Sequence, residues 1–362
     1  MPGTLFVRPG LEGKRALMAK RSLPDARILG IETSCDETAA AVIENGRALV
    51  SSVVASQIDL HARYGGVFPE VASRQHIKTI YAVVEEALQQ SHLQLSDLDA
   101  IAVTRGPGLA GSLVVGINMA KGMAIASRLP LIGVNHLEGH IYSAWVYPTG
   151  EETPREPRFP ILALLVSGGH SELNLMQDHL TYKRLGGTLD DAAGEAFDKV
   201  ARLLGLPYPG GPSIQITAEG GDMRSFHFPR ARLENTWDFS FSGVKTAVLR
   251  EVKKLEEAGR ELPVADLAAS FQAAVVEVLY EKTMMAAETH HVKEIVVAGG
   301  VSANQALREA FQNQKRFTLH IPRLSLCTDN AAMIASAGYY RFALDHTDDL
   351  GFDAMPNWPL SE

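Results

Sequence analysis

The sequence predicts an α/β protein with two lobes that face a central cleft, and three observations lead to this prediction. At 362 residues the chain exceeds the size at which single hydrophobic cores stop growing, so two lobes are expected. Short apolar runs bounded by glycine or polar residues alternate with longer segments of helical periodicity. A unit of strand, polar turn and strand occurs near Ile28 and again near Ile161, which indicates two similar halves.

The first half begins with that unit. Residues 28–31 predict a strand, residues 32–37 a polar turn, and residues 38–43 a second strand that ends in an Asn-Gly hairpin signal. Periodicity then predicts a helix, a buried strand and another helix, with Gly106-Pro-Gly108 between the last two: residues 73–90, 100–104 and 113–127.

The second half repeats the pattern. An apolar strand over residues 161–166 enters the turn Ser167-Gly-Gly-His-Ser171 and a strand over residues 172–176. A further strand over residues 294–298 leads through Gly-Gly-Val-Ser-Ala-Asn304 into a helix over residues 306–311. Each turn offers free backbone N–H groups to an anion, although glycine after a strand often serves only a tight turn. Taken together, the three turns predict a nucleotide site.

Neither of two common nucleotide motifs is present. The chain contains no Gly-x-x-x-x-Gly-Lys-Ser/Thr loop and no Gly-x-Gly-x-x-Gly turn that opens a βαβ unit. The sequence therefore does not favour a P-loop NTPase or a Rossmann dehydrogenase.

His136 and His140 stand four residues apart at the start of a predicted helix, so both imidazoles lie on one helix face. This spacing permits a shared metal ion, and a solvated face is the alternative. A zinc protease would carry its glutamate directly after the first histidine, but that position is Leu137. Glu138 is turned about 200° from His136 and lacks the position of a general base. A metal site needs a third ligand from elsewhere in the chain.

Asp329 is a candidate for that ligand, if the helix of residues 331–343 folds back on the first lobe. Thr328 or Asp329 could also serve simply as the N-cap of that helix. Asp190 or Asp191 is likewise a predicted N-cap, for a helix that carries Glu195 and Asp198. The polar segments 208–212 and 238–245 have two open interpretations, a binding surface or ordinary packing.

Composition restricts the class of protein. Two cysteines, Cys35 and Cys327, form no spaced framework and indicate a reducing compartment. A net charge of −8 argues against a strongly basic nucleic-acid binder, so a nucleic-acid substrate would need a local basic patch or a partner. No run approaches 18 apolar residues, and we expect no membrane segment. Residues 1–27 are predicted to be a flexible basic tail; an organelle import sequence and a later start at Met18 are alternatives.

Several motifs together carry a family resemblance. The three glycine-containing turns resemble those of the superfamily of actin, the heat-shock chaperone ATPases and the sugar kinases. Over residues 28–360 the chain resembles the TsaD family, the bacterial tRNA threonylcarbamoyladenosine synthases once called O-sialoglycoprotein endopeptidases. The motifs that carry this resemblance are residues 28–38, 68–74, 106–108, 136–140, 165–170, 190–199, 208–212, 239–243, 298–304 and 327–330.

The resemblance implies a fold, an activity and a set of site residues. The fold is the two-lobed actin-like ATPase fold with a duplicated core, and the activity is transfer of a threonylcarbamoyl group from threonylcarbamoyl-AMP to N6 of adenosine 37 in tRNAs that read codons beginning with A. The implied metal ligands are His136, His140 and Asp329, and the implied catalytic residue is the acidic Asp36. The implied adenylate-binding residues are Leu165, Val166, Ser167, Gly168, Gly169, Asp198, Gly211 and Asn304.

The resemblance also implies cofactors and partners. One divalent metal per subunit is expected, Fe²⁺ first and Zn²⁺ second, because two histidines and a carboxylate suit either. Expected partners are tRNA, a same-fold paralogue and a small P-loop ATPase, in the cytoplasm. The alternatives are a small-molecule kinase or ATPase of the same fold, and a non-catalytic partner of a tRNA-modification complex. The expected division is residues 28–145 and 146–325 for the two lobes, with residues 326–362 returning to the first lobe.

Overall fold

The computed structural model describes residues 25–153 and 155–361. Eleven strands and ten α-helices occur in this part of the chain. The strands are β1 Arg27–Glu32, β2 Glu37–Glu44, β3 Ala48–Ser56, β4 Ala100–Gly106, β5 Leu131–Asn135, β6 Tyr147–Pro148, β7 Ile161–Val166, β8 Ser171–Asp178, β9 Thr181–Gly187, β10 Glu294–Ala298 and β11 Thr318–His320. The helices are α1 Ile58–Ala62, α2 Pro69–Ser91, α3 Ala110–Ser127, α4 His136–Tyr142, α5 Ala193–Leu203, α6 Gly210–Ala218, α7 Ser242–Glu257, α8 Val264–Thr289, α9 Gln305–Gln312 and α10 Ala331–Ala343. Short 3-10 helices lie at Leu95–Asp97, Ser143–Trp145, Gly300–Ala303 and Leu324–Leu326.

The strands form two mixed sheets with matching strand orders. The first sheet runs β5-β4-β1-β2-β3-β6 and the second runs β11-β10-β7-β8-β9. In each sheet the first strand of the half pairs antiparallel with the next strand, as β1 with β2 and β7 with β8. It also pairs parallel with a strand that follows a helical crossover, as β1 with β4 and β7 with β10. The polar turns after β1 and β7 therefore occupy equivalent places in the two sheets.

Helices cover both faces of the first sheet. Helices α2 and α3 pack on one face, where the apolar residues of β1 and β4 meet them in one core. Helices α4 and α10 lie on the other face, in a second core that also receives residues of β7 and β10. A third core fills the second half around α5 and α8. Strands that are buried on both faces need continuous apolar runs, as in the residues of β1 and β7.

Helix α10 approaches the first sheet very closely, and glycine makes this possible. A Cβ on Gly30 would stand 2.2 Å from the carbonyl oxygen of Ala331, and one on Gly338 would stand 2.5 Å from the Cβ of Ala102. The start of α10 is thereby held against β1, near the point where that strand ends. Asp329, two residues before α10, lies at the same end of the sheet as a result.

Most predicted elements are confirmed. The strands at 161–166 and 294–298 and the helix at 331–343 have the predicted bounds, while α2 and α3 begin three or four residues earlier than the periodicity indicated. The capping predictions were wrong. Ala192 precedes α5, and the N-cap of α10 is Asn330, whose side chain accepts a hydrogen bond from the Met333 N–H. Of the predicted tail, residues 1–24 lie outside the described residues, and β1 already begins at Arg27.

One helix in the described part of the chain, α3 (Ala110–Ser127), is long and apolar enough to cross a membrane by length and composition alone. One such helix is weak evidence of a membrane segment, because core helices pass the same test. Leu113 and Ile117 of this helix belong to the core beneath the first sheet.

Candidate functional site

Three metal-type ligands from two distant parts of the chain meet between the sheets. Ligand atoms of His136, His140 and Asp329 all lie within 4.8 Å of one another. The Asp329 carboxylate oxygen is 3.4 Å from His136 Nε2 and 3.3 Å from His140 Nε2. The two imidazole rings are 4.7 Å apart between centroids and cross at 82°, so their nitrogens converge on one point. Two imidazoles and one carboxylate are a donor set that binds iron or zinc.

His140 lacks the partners that a buried histidine needs in a purely structural role. The residue is 1% exposed, and neither of its ring nitrogens has a hydrogen-bond partner among the described residues. Burial, assisted by the nearby His136, lowers the pKa of His140. A neutral imidazole has a free lone pair on one ring nitrogen. Because the carboxylate of Asp329 and the imidazole of His136 lie close to it, the three groups can bind one metal ion.

His136 is oriented from behind by polar groups of the first turn. Its Nδ1 lies 3.0 Å from Glu32 Oε2 and 3.1 Å from Ser34 Oγ, which leaves Nε2 for a metal. Glu32 is fully buried and also accepts hydrogen bonds from Thr104 Oγ1, at 2.7 Å, and from the Ser34 N–H. A carboxylate behind a histidine ligand fixes its tautomer and raises its basicity. The roles of Glu32 and Ser34 were not predicted from the sequence. The feature that could have indicated them is their position at the end of a buried strand.

Electrostatics within the cluster favour a cation at its centre. Although burial opposes it, the carboxylates of Asp329 and Glu32 raise the pKa of His136 to about 10 in the metal-free protein. Burial would raise the pKa of Asp329, but the two histidines hold it well below its usual range. A proton on His136 therefore supplies the positive charge that a metal ion would otherwise bring to these carboxylates.

The helix that carries both histidines is buried along its whole length and begins at a polar cap. The Asn135 side chain caps α4 by accepting a hydrogen bond from the Leu137 N–H at 2.9 Å. Glu138 turns away from the metal ligands and pairs with Arg341 of α10, with Oε2 2.6 Å from Nε. Glu138 is therefore held in an ion pair and is not part of the cluster formed by His136, His140 and Asp329.

Asp36 lies in the turn between β1 and β2. Burial raises the pKa of Asp36, and the carboxylate of Asp329 raises it further, so the two acids share one environment. The Asp36 carbonyl accepts a hydrogen bond from the Gln57 N–H at 3.1 Å. Behind the turn, the His76 Nε2–H donates to the Cys35 carbonyl oxygen at 3.0 Å, and His76 Nδ1 accepts from Thr38 Oγ1 at 2.8 Å. The buried His76, which sequence reasoning missed, thus holds the loop that carries Asp36.

The turn after β7 is open where the turn after β1 is packed. A Cβ added to Gly168 or Gly169 would meet nothing within 4 Å. The turn is closed by hydrogen bonds from the Ser167 N–H to the His170 carbonyl, at 2.8 Å, and from the His170 N–H to Ser167 Oγ, at 3.1 Å. Burial lowers the pKa of His170, and the charges of His136 and His140 act in the same direction. His170, which closes the turn, therefore lies within electrostatic reach of the metal-type ligands.

The remaining predicted adenylate residues surround this turn. Leu165 and Val166 end β7 beside β10, and a Cβ on Gly299 would stand 2.5 Å from the Val166 carbonyl oxygen. The N–H of Gly194, at the start of α5, donates to the Ser167 carbonyl oxygen at 3.1 Å.

Further along α5, Asp198 Oδ1 accepts a hydrogen bond from the Gly210 N–H at 2.7 Å. A Cβ added to the adjacent Gly211 would meet nothing within 4 Å. Asn304 has a local role as well, since it caps α9 through the Leu307 N–H and donates to Gln272 Oε1 at 2.8 Å.

Residues of the two halves also meet beside Asp36. Burial raises the pKa of Asp198, and the Asp36 carboxylate adds to the effect. Burial likewise raises the pKa of Tyr208, with contributions from both of these acids. Asp36 in the first half therefore faces Asp198 and Tyr208 in the second, across the space between the two turns.

The polar segment 238–245 binds the two aspartates that precede α5, Asp190 and Asp191. Asp190 accepts hydrogen bonds from Ser240 Oγ and Ser242 Oγ, both at 2.6 Å. Asp191 pairs with Lys199 and Lys245. These contacts join the start of α5 to the start of α7, so packing accounts for the polar residues of segment 238–245.

Comparison with known proteins identifies relatives over nearly the whole chain. Residues 48–336 match the family model TsaD, tRNA N6-adenosine threonylcarbamoyltransferase. A protein of that name from Thermomicrobium roseum is 53% identical over 92% of this chain and 96% of its own length. Another from Geobacillus kaustophilus is 52% identical over 93% of this chain and 97% of its own.

A solved structure shares the fold at low sequence identity. HypF of T. kodakarensis superposes with a TM-score of 0.58 at 14% identity, over 88% of this chain and 48% of that one. The two proteins therefore share a fold, which in this chain is a mixed α/β architecture with two sheets. On the strength of the family match and of relatives that are more than half identical over nine-tenths of its length, the chain belongs to the TsaD family.

Proposed function

We propose that this protein transfers the threonylcarbamoyl group of threonylcarbamoyl-AMP to N6 of adenosine 37 in tRNAs that read codons beginning with A. The observations that support the proposal are the convergence of His136, His140 and Asp329 and the open turn at residues 167–169, in a chain of the TsaD family. A centre for metal binding and a cradle for an adenylate are the two parts that such a transfer needs. The relatives' shared name, a tRNA N6-adenosine threonylcarbamoyltransferase, supports the same activity.

The chemical step is an acyl transfer from an already activated donor. The N6 amine attacks the carbamoyl carbon, a C–N bond forms, and the C–O bond of the mixed anhydride breaks to release AMP. The amine must lose a proton during this exchange. Asp36 is the proposed acceptor, directly or through a water, because burial and Asp329 raise its pKa and make it a stronger base than an exposed carboxylate.

His136, His140 and Asp329 are the proposed metal ligands, and a bound Fe²⁺ or Zn²⁺ supplies Lewis-acid polarisation of an oxygen at this point. Glu32 and Ser34 hold the His136 ring so that Nε2 faces the ligand cluster. We propose iron first and zinc as the alternative, since the donor set suits both.

Leu165 to Gly169, with Asp198, Gly211 and Asn304, are the proposed adenylate-binding residues. The turn at Ser167–Gly169 has no side chain beyond a hydroxyl, so a phosphate can approach its backbone N–H groups without steric hindrance. The same N–H groups would stabilise negative charge that develops on the departing phosphate. Asn304, which is engaged as a helix cap, contributes by holding the turn after β10 beside Val166.

Several wider features are proposed on the family relationship and on the fold. The matching strand orders support a duplicated core, with lobes at residues 28–145 and 146–325 and residues 326–362 returning to the first lobe. The proposed partners are tRNA, a same-fold paralogue and a small P-loop ATPase, in the cytoplasm.

A direct assay tests the proposal against its rivals. Purified, metal-loaded protein is supplied with threonylcarbamoyl-AMP and unmodified tRNA, together with the partner proteins, and the tRNA is digested and searched for modified adenosine. We expect modified adenosine only when all substrates are present. ATP turnover on a hydroxyl substrate that is unaffected by His136→Ala would favour a kinase, and modified adenosine formed equally well without this chain would favour a non-catalytic partner.

A further inference from the structure

A pair of exposed aromatic rings lies on a loop that no part of the mechanism uses. We call this loop, residues 63–68, the rim loop. Tyr64 is 58% exposed and Phe68 is 48% exposed, and their ring centroids are 5.8 Å apart at an interplanar angle of 32°. Gly65 and Gly66 separate them, and a Cβ on Gly66 would meet nothing within 4 Å. Single exposed apolar residues are ordinary, but two adjacent rings on an open glycine turn form an exposed apolar patch that solvent does not favour.

The rim loop is attached to the turn that carries Asp36. The Phe68 N–H donates to His61 Nδ1 at 3.3 Å, and the His61 N–H donates to the Gln57 carbonyl oxygen at 3.0 Å. Gln57 in turn donates its N–H to the Asp36 carbonyl oxygen at 3.1 Å. His61 is fully buried, so it anchors the loop rather than reaching a ligand. The aromatic pair therefore lies at the edge of the space that Asp36 faces.

The rim loop also reaches the second half of the molecule. Arg202 of α5 donates from Nη2 to the Gly65 carbonyl oxygen at 2.5 Å. Arg202 follows Asp198 by one helical turn. Arg63 is exposed at the base of the loop. Among residues 25–153 and 155–361, neither guanidinium forms an ion pair with a carboxylate. In a chain with a net charge of −8, these two arginines place positive charge beside the aromatic rings.

We propose that Tyr64 and Phe68 form a stacking platform for unpaired bases of the tRNA anticodon loop, and that Arg63 and Arg202 contact its phosphates. The inference rests on the proposed function. An adenosine whose N6 must enter the space between the two turns has to leave the stack of its loop, which exposes the faces of the neighbouring bases. Aromatic side chains beside basic groups are the arrangement that binds unstacked bases of single-stranded RNA.

The charge of the surface favours RNA over another protein chain. A purely apolar contact would gain nothing from exposed guanidinium groups, whereas these groups can bind the phosphates of an RNA loop. The rings offer stacking faces that tolerate any base, and the arginines offer charge that is not specific to sequence. Together they would place the loop without dictating which tRNA is bound.

A binding experiment with single variants tests the platform. The probe is a synthetic anticodon stem-loop RNA with an unmodified adenosine 37, bound to the full-length, metal-loaded protein and followed by fluorescence anisotropy. Tyr64→Ala and Phe68→Ala should each weaken binding roughly ten-fold or more, because a stacked base contributes on that scale. Tyr64→Phe should bind like the original protein and Tyr64→Leu should not, since stacking needs a ring and not merely an apolar side chain.

Salt dependence separates the two parts of the surface. Arg63→Gln should reduce the slope of log affinity against log salt by about 0.7, the value for one phosphate of a single strand. The ring variants should leave that slope unchanged. The matched control is Tyr81→Ala, a 65% exposed tyrosine on α2 that lies about 20 Å along the helix from Phe68. We expect it to bind the stem-loop normally.

The outcomes for the platform and for the proposed function are distinct. If the Tyr64→Ala, Phe68→Ala double variant binds the stem-loop as tightly as the original protein, or loses only binding of a protein partner, the platform is wrong even where modified adenosine still forms. If the variants weaken stem-loop binding as expected but the original protein forms no modified adenosine, the platform stands and the proposed function fails. In the transfer assay we expect the double variant to raise KM for tRNA while kcat at saturating tRNA and metal content stay unchanged.

Discussion

The turns that follow β1 and β7 have equivalent positions in their sheets but opposite character. The first turn is packed: Ser34 contacts His136, the Cys35 carbonyl binds His76, and a Cβ on Gly108 would stand 2.7 Å from Ser34 Cβ. The second turn presents Gly168 and Gly169 to open space. One local topology therefore serves two tasks, because a packed turn fixes side chains and an open turn exposes the backbone.

The division of labour follows from what each ligand requires. A metal ion and a proton acceptor need side chains held to within a fraction of an ångström, which buried partners such as Glu32 and His76 provide. A phosphate needs several N–H donors and room to approach, which glycines provide. Substitutions that affect only one turn should therefore separate metal binding from adenylate binding.

Removal of a metal ligand should produce the largest effect. His140→Ala deletes a buried imidazole whose nitrogens have no other partner among the described residues, so metal binding and transfer should be lost together. Metal content is measured by elemental analysis and transfer by modified adenosine in digested tRNA. The control is His227→Ala, an exposed histidine that should leave both unchanged. Full transfer by a folded, metal-free His140 variant would contradict the role of His136, His140 and Asp329 as ligands of a metal that transfer requires.

Glu32→Gln should have the next largest effect. The amide keeps the size of the side chain but loses the charge behind His136, and it cannot accept from Ser34, Thr104 and His136 at once. Metal affinity should fall by about 10-fold to 100-fold, the usual cost of losing such a partner. Titration with a competing chelator measures this, with the exposed Glu85→Gln on α2 as the control. Unchanged metal affinity would show that Glu32 serves only the fold.

The sequence predicted those parts of the molecule that depend on local pattern. The apolar run of β7 ends at Ser167-Gly168 and that of β10 ends at Gly299, so their bounds are visible in the sequence. The spacing of His136 and His140 is likewise a local property. Glu32 could not be assigned in this way, because its role depends on β1 lying beside β4 and α4. The N-cap of α10 was also out of reach, since Thr328, Asp329 and Asn330 are all good caps and only the backbone distinguishes them.

Gly168→Ala tests the open turn and should have a smaller effect. The added methyl group meets no atom within 4 Å, so the free energy of unfolding should change by less than about 1 kcal/mol. In the proposed adenylate site, however, the methyl group occupies space above the N–H donors and should raise KM for the adenylate by about ten-fold at normal metal content. Gly194→Ala is the contrasting variant, because its Cβ would stand 2.7 Å from the Ser167 carbonyl oxygen and should destabilise the fold. Unchanged KM in Gly168→Ala would remove the adenylate from this turn.

Asn330→Ala should have the smallest effect. It tests whether the position of Asp329 depends on the cap of α10. The Asn330 side chain accepts from the Met333 N–H at 3.0 Å and donates to the Thr328 carbonyl oxygen at 2.8 Å, so it holds the residues on both sides of Asp329. Its loss should lower the free energy of unfolding by about 1 kcal/mol, as for other N-caps, and weaken metal binding by a few-fold. Denaturant unfolding and chelator competition measure the two quantities. Asn330→Asp can still cap the helix but cannot donate to Thr328, so it should recover the stability and not the metal affinity. If both recover together, Asp329 is positioned by the helix alone.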